Sequence, residues 1–261
     1  MIRSLWTAAT GMEAQQLNLD VVANNLANVN TVGFKKSRAE FQDILYQVGK
    51  QAGTETSAGN QVPVGVEVGL GSRISATKNM FTQGDFKQTA SPYDWVIEGD
   101  GFFQVTDDTG RTVYTKAGSL MTNKDGVLVN PEGLKLTPQV TIPQAAVNFQ
   151  ILQDGTWTAT DSVQNKVASG RVQLARFINP AGLKSIGRNL YDVTDASGAA
   201  VTGNPGDTGF GTITQNAVEM SNVNVVDEMV QMIAGQRAYE MNTKAIQTAD
   251  QILQMISNLK R

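Results

Sequence analysis

The chain has 261 residues, a formal net charge of −3 and neither cysteine nor histidine, a length that holds one large domain or two modest ones. Without Cys or His there is no disulfide framework, no zinc site of the usual kind, and no Ser-His-Asp or Cys-His catalysis. The balance of 21 Lys and Arg against 24 Asp and Glu argues against a nucleic-acid partner that needs a basic face, and no apolar run approaches the ~18 residues of a transmembrane helix.

The first segment, Met1 to Gly11, carries only Arg3 as a charge and interrupts its apolar residues with Ser4, Thr7 and Thr10. It lacks the continuous apolar core of a cleavable signal peptide. The expectation is a protein that stays inside the cell or leaves by a route that keeps its N-terminus. Leu5, Met12, Leu19 and Leu26 fall seven apart, with Ile2, Ala9, Gln16 and Ala23 three residues before each. That spacing predicts a helix from about Ser4 to Asn28, roughly 37 Å long. It ends at Asn28-Val29-Asn30-Thr31-Val32-Gly33-Phe34, where Asn and Gly33 supply the conformations that stop helices. Lys35, Lys36 and Arg38 follow as a basic cluster, read as a solvated connector with contact to an acidic neighbour as the alternative.

Residues 47–65 are rich in Gly, Ser, Thr and Gln and read as a linker, or as a reaching arm that orders on assembly. From Val66 the chain becomes β-prone, with turn signals between short runs. The Gly-rich stretch Gly65 to Ser72 lacks the Lys-Ser/Thr of a phosphate loop and reads as a strand with bulges. Hairpins are expected across Asp107–Gly110, Asn123–Gly126 and Asp154–Gly155. Further strands are expected at 171–178, 190–194 and 212–218, with a surface loop at Gly203–Asp207. The fold class is α+β, with a central antiparallel domain that suits either a barrel or a sandwich.

Near the end, Val225, Met232, Tyr239, Ile246 and Leu253 repeat the seven-residue step. A helix is expected from Asn224, a capping residue with Asp227 in the first turn, to about Asn258. Gly235 inside it costs about 1 kcal/mol relative to Ala, so a close approach there is expected. Both terminal helices carry amides (Asn24, Asn25, Gln231, Gln236, Asn242) where a solvated helix would carry charges. Burial of these seams alone does not offset the entropy of ordering two long helices. The two ends are therefore expected to pair as a coiled coil and to fold fully only when neighbouring copies complete the packing. The domains expected are 1–33 (assembly helix), 34–65 (connector and arm), 66–220 (β domain) and 221–261 (assembly helix).

Asp94, Glu98 and Asp100 are the best carboxylate candidates for acid–base chemistry on a polysaccharide such as the cell wall. Asp94 and Glu98 flank the apolar Trp95-Val96-Ile97, however, and Asp100-Gly101 has the form of a turn. Asp107-Asp108 and Asp125-Gly126 lack the alternating oxygen ligands of a calcium loop. No catalytic, metal or cofactor residue is assigned, and the chain reads as a structural polymer subunit.

Two terminal segments carry a resemblance. Ala23 to Lys35 (ANNLANVNTVGFK) resembles the N-terminal signature of the axial proteins of the bacterial flagellum. Ser221-Asn222-Val223-Asn224 and Gln236 to Lys244 resemble the C-terminal one. Gly99 to Val105 and Tyr114-Thr115-Lys116-Ala117-Gly118 resemble the β domain of the longer members. Ser119-Leu120, where an aromatic residue is expected, and the basic end Lys260-Arg261 depart from the pattern. The resemblance implies a subunit of the distal rod, with a hook or other rod subunit as the alternative. It implies passage unfolded through the flagellar export apparatus and polymerisation in the periplasm into a hollow, rigid shaft. Its partners would be further copies, proximal-rod and hook proteins, and the peptidoglycan- and outer-membrane-ring bushings, with no nucleic acid and no membrane insertion. Expected packing residues are Leu5, Met12, Leu19, Asn24, Asn25, Leu26, Asn28, Gly33, Phe34, Val225, Met232, Arg237, Tyr239, Ile246 and Leu253.

Overall fold

The computed structural model describes residues 2–53, 63–107 and 109–259. Helix α1 spans Ile2–Ala27 and helix α2 spans Val225–Leu259, within two residues of the expected bounds at both ends. α2 opens as its sequence dictates. Asn224 Oδ1 accepts the Val226 N–H at 3.0 Å, and Asp227 and Glu228 occupy the first turn, where carboxylates favour the helix dipole. No helix among the described residues is long and apolar enough to cross a membrane.

The two helices lie antiparallel. Asn25 meets Glu228, Leu19 covers Gly235, and Gly11 faces Asn242. On α2 a seven-residue step recurs in a phase other than the expected one, whereas the buried residues of α1 do not follow that step. On α2 the buried line is Glu228, Gly235 and Ala249, with Met232, Asn242 and Ile246 half-buried. Val225, Tyr239 and Leu253 are 38%, 39% and 38% exposed. On α1, Ala8, Ala14, Val22 and Asn25 are buried and Leu5, Met12, Leu19 and Leu26 half-buried, while Ala9, Gln16 and Ala23 are exposed. The cause is close approach. A Cβ on Gly235 would stand 3.1 Å from Leu19 Cδ2, so glycine holds the contact line at that point and the larger apolar residues turn to its flanks.

The chain divides into two units. The first comprises Met1–Ala27, Ser37–Lys78 and Asn224–Arg261. Besides the helices it contains strand Ser37–Asp43 paired with Ser72–Asn79, and an antiparallel ribbon of Tyr46–Lys50 with Val66–Gly69. The ribbon has a register shift between Val48 and Lys50, so the extra residue is Gly49 on the partner strand and the bulge expected within Gly65 to Ser72 falls opposite that stretch. The middle of the expected arm, residues 54–62, lies outside the described residues, as do Asp108 and Lys260-Arg261.

The second unit, Asn28–Lys36 and Asn79–Val223, holds the β body. Among the described residues its main sheet has nine strands. Phe102–Thr106 runs through its middle, paired with Thr112–Thr115, Lys135–Thr137 and Leu174–Arg176, all antiparallel. The expected hairpins form. The Gly110, Gly126 and Gly155 N–H groups close their turns onto the Asp107, Asn123 and Leu152 carbonyls at 2.8–3.0 Å. Asn148–Ile151, Thr156–Thr160 and Lys166–Arg171 make a three-stranded meander. Trp95–Glu98 pairs with Thr212–Gln215, and Phe86–Gln88 with Ala217–Glu219. The core is aromatic at its centre, where Trp95 stacks on Phe149 at 5.8 Å and Phe149 on Trp157 at 5.9 Å. A second cluster gathers Phe102, Tyr114, Phe177, Leu183 and Tyr191.

Candidate assembly site

At the C-terminal end of α1, Asn25 is 2% exposed. Its Nδ2 donates to the Ser37 carbonyl at 2.8 Å and to Glu228 Oε2 at 3.2 Å, while its Oδ1 accepts the Ser37 N–H at 2.9 Å. One side chain thereby links α1, the strand that follows it and the first turn of α2. An amide suits the position because it donates and accepts at once without carrying a charge into the interior. Its neighbour Asn24 is exposed.

In the second unit the segment after α1 makes a tight reversal. The Thr31 N–H bonds the Asn28 carbonyl at 3.1 Å, and Gly33 adopts φ +71° and donates its N–H to the Glu219 carbonyl at 2.8 Å. A Cβ there would stand 2.6 Å from the Ala117 nitrogen, so both the conformation and the space demand glycine. The reversal turns Lys35 inward. Its ammonium, with no exposed side-chain surface, donates to Glu219 Oε1 at 2.5 Å and to the Thr82 carbonyl at 2.7 Å. The Gly84 N–H reaches the same carboxylate oxygen at 3.0 Å. Asn222 completes the cluster, accepting the Lys36 N–H at 2.8 Å and donating to the Met80 carbonyl at 2.8 Å. The solvated-connector reading is therefore corrected for Lys35, whose acidic neighbour belongs to its own chain. Arg38 is solvent-exposed but lies in the strand Ser37–Asp43 and pairs with Glu40 at the surface.

Other expected packing residues are scattered over the two units. Phe34 and Asn28 are half-buried. Arg237 is exposed and pairs with Glu240 at 2.9 Å. Away from the α1 contact, α2 presents a further apolar line: Val226, Met229, Val230, Ile233, Met241, Ile252, Met255 and Ile256 are each 42–70% exposed. Trp6 on α1 is 68% exposed. The ribbon is likewise uncovered, with Tyr46, Val48, Val66 and Val68 at 44–56%. Tyr46 hydrogen-bonds the Asp43 carboxylate, which raises its pKa. Large exposed apolar residues gathered on one helix face are a feature of contact sites in general, and a lone two-stranded ribbon is marginal in water.

The carboxylate candidates do not form a catalytic pair. Asp94 and Glu98 bracket the fully buried Trp95, Val96 and Ile97. Four residues along a strand separate them by roughly 13 Å, beyond the ~5–9.5 Å that glycoside hydrolysis requires. Asp107 accepts from Thr109 Oγ1 and pairs with Arg111, and Asn123 caps the turn at Asp125. Both carry out turn chemistry.

Sequence reasoning missed Glu219 and Glu228, whose carboxylates are 1% and 2% exposed, and the environment of Lys116. That lysine, also buried, has its pKa pushed down to about 8, mainly by burial, with Glu219 and Asp100 opposing and Lys35 reinforcing the shift. Tyr191 is pushed up to about 12, by burial first and then by the Glu219 charge. Lys35 and Lys116 both stand inside quoted motifs, which was the available signal; Glu219 had none.

Three family models match. A flagella basal body rod protein model covers residues 5–35, a flagellar hook protein FlgE/F/G D1 domain model covers 96–159, and a flagellar basal body rod FlgEFG protein C-terminal model covers 214–259. The chain is 45% identical to the flagellar basal-body rod protein FlgG of Borreliella burgdorferi, over 100% of both chains. It is 46% identical to that of Caulobacter vibrioides over 99% of this chain and 100% of the relative. With that of Bacillus subtilis the identity is 38% over 100% of both.

Proposed function

We propose, from the premise that this chain belongs to the FlgG family of flagellar basal-body rod proteins, that it builds the distal segment of the rod. It is a structural subunit and not an enzyme. Copies polymerise into a hollow, rigid shaft that carries torque from the motor to the hook. α1 and α2 pack as a coiled coil against neighbouring helices and line the tube. The ribbon Tyr46–Lys50/Val66–Gly69 bridges to an adjacent copy and stiffens the shaft.

The observation that carries this reading is the uncovered apolar line on α2, Val226 to Ile256. One face of α2 is satisfied by α1, and a second face of comparable apolar content faces outward. A polymer of identical subunits covers such a face by repetition, because a non-closing contact between unlike patches propagates. Torque then spreads over many packing contacts. The resemblance noted above adds the surroundings: delivery unfolded through the export apparatus without loss of the N-terminus, a periplasm-spanning location, proximal-rod and hook proteins at either end, and ring bushings around the shaft.

Deleting the gene and imaging the envelope by electron cryotomography tests the assignment. A rod that stops short of the outer membrane, with no hook, is the expected outcome. Intact rods and hooks would overturn it.

A further inference from the structure

The motif residue Lys116 has no role in the packing described so far, and it lines a cavity in the β body. The cavity has a volume of about 140 Å³ and is bordered by Phe81, Asp100, Phe102, Lys116, Arg176 and Phe177, with Ile178 beside them. Lys116 is 5% exposed, and its ammonium donates to the Gly99 carbonyl at 2.9 Å and stands 5.6 Å from the centre of the Phe102 ring. A lysine ammonium has three donors, and among the described residues one is used, at the Gly99 carbonyl. Arg176 is exposed, with its guanidinium against Gly209. Neither cation belongs to an ion pair among the described residues.

Two cations face one carboxylate, Asp100, in this cavity, while the nearby Lys35–Glu219 pair is neutral as a unit. The site has a surplus of one positive charge. It is smaller than the ~300 Å³ at which small-molecule pockets begin, and so fits a side-chain head group better than a cofactor. Ile178, 88% exposed, adds apolar surface beside it.

We propose that this cavity receives an Asp or Glu side chain from a second copy of the chain, its carboxylate held between Lys116 and Arg176. The proposal rests on the polymer reading above. The polymer reading puts second copies against every subunit, and the net positive lining of the cavity, Lys116 and Arg176 against Asp100, selects a carboxylate from among their side chains. A bound carboxylate completes the unused donors of Lys116 and neutralises a charge that burial otherwise penalises.

Two measurements on the full-length protein test it. In the first, the side-chain nitrogen of Lys116 is followed by NMR through a pH titration of the monomer, assigned with the Lys116→Met variant. Sodium acetate, compared with an equal concentration of sodium chloride, is expected to raise the midpoint by about one pH unit or more. In the second, polymers assembled from an equal mixture of light and nitrogen-15-labelled copies are treated with a water-soluble carbodiimide. The activated carboxylate is attacked by the lysine amine, urea leaves, and an amide remains. Mass spectrometry is expected to find Lys116 joined to an Asp or Glu of a differently labelled copy. No response to acetate overturns the carboxylate site. An acetate response without a link between copies in the polymer overturns the second copy as its occupant. Failure of the chain to polymerise at all would instead overturn the polymer reading, and this occupant with it.

Discussion

Asn25 and Glu228, 203 residues apart in sequence, meet at 3.2 Å in the interior of the helical unit. The contact ties the last turn of α1 to the first turn of α2, and the same amide holds both the N–H and the carbonyl of Ser37. Replacing Asn25 by Ala removes the amide that bonds both Ser37 backbone groups and takes a donor from a buried carboxylate. Unsatisfied buried groups cost roughly 1–3 kcal/mol each, so Asn25→Ala is expected to destabilise the protein by about 3 kcal/mol or more. Urea denaturation followed by far-ultraviolet circular dichroism checks this. A loss below about 0.5 kcal/mol would show that water replaces the amide.

The Lys35–Glu219 pair predicts a non-additive cycle. Lys35→Met alone leaves a buried carboxylate uncompensated, at a cost of about 3–5 kcal/mol. Adding Glu219→Gln removes the orphaned charge and retains an acceptor for the Gly84 N–H. The double variant is expected to be more stable than Lys35→Met by about 2 kcal/mol, which chemical denaturation of the four proteins in the cycle measures. Simple additivity would contradict the burial of the pair.

Lys116 predicts a specific pH dependence. Its folded pKa lies near 8, below its ordinary 10.5, so between these values the unfolded chain binds more protons than the folded one. Stability contributed through this group therefore rises with pH from about 8 to 10.5, by on the order of 3 kcal/mol. Tyr191, raised from 10.0 to about 12, acts the other way: its contribution is full below pH 10 and is lost from there towards pH 12. The difference between wild type and Lys116→Met isolates the lysine. That difference is expected to change steadily from pH 8 to 10, measured as unfolding free energy at fixed ionic strength. A flat difference would refute the shift.

The exposed line on α2 predicts a separation of folding from assembly. Met229 and Ile233 are 50% and 56% exposed and sit on one face, four residues apart. Changing both to Glu is expected to shift monomer stability by less than about 0.5 kcal/mol per site. Polymer formation, read by sedimentation and by electron microscopy of rods, is expected to be lost. Normal rods in such a strain would place the contact face elsewhere on the helix.

The helices and hairpins were legible because their signals are local. A seven-residue step marks both helices, and Asp154-Gly155 or Asn123–Gly126 marks a reversal regardless of what surrounds it. The phase of the helix contact was not legible, because the usual cue is inverted: Gly235 and Ala249 are buried while Val225 and Leu253 are exposed. Hydrophobicity ranks residues by their transfer from water, whereas this contact selects them by size. The Lys35–Glu219 pair lay out of reach for another reason. Its members are 184 residues apart, and only the Gly33 reversal, the Asn222 clamp and the pairing of Ala217–Glu219 with Phe86–Gln88 bring them together. Asn25 falls between these cases, since the shortage of charge around it was visible but its partners were not.

Neither unit is built from a single stretch of chain, and this governs the order in which a nascent polypeptide can fold. Glu219, the partner of Lys35, is among the final residues of the β unit, which ends at Val223. That unit can close as soon as those residues are available. α1, made first, must wait until Asn224 onward has been supplied before it gains its antiparallel partner. A ribosome-bound chain halted before α2 thus holds a nearly complete β body and an Asn25 that lacks only its Glu228 contact. The apolar line on α2 follows every other contact surface in the chain, which delays self-association through that face until the β body can close.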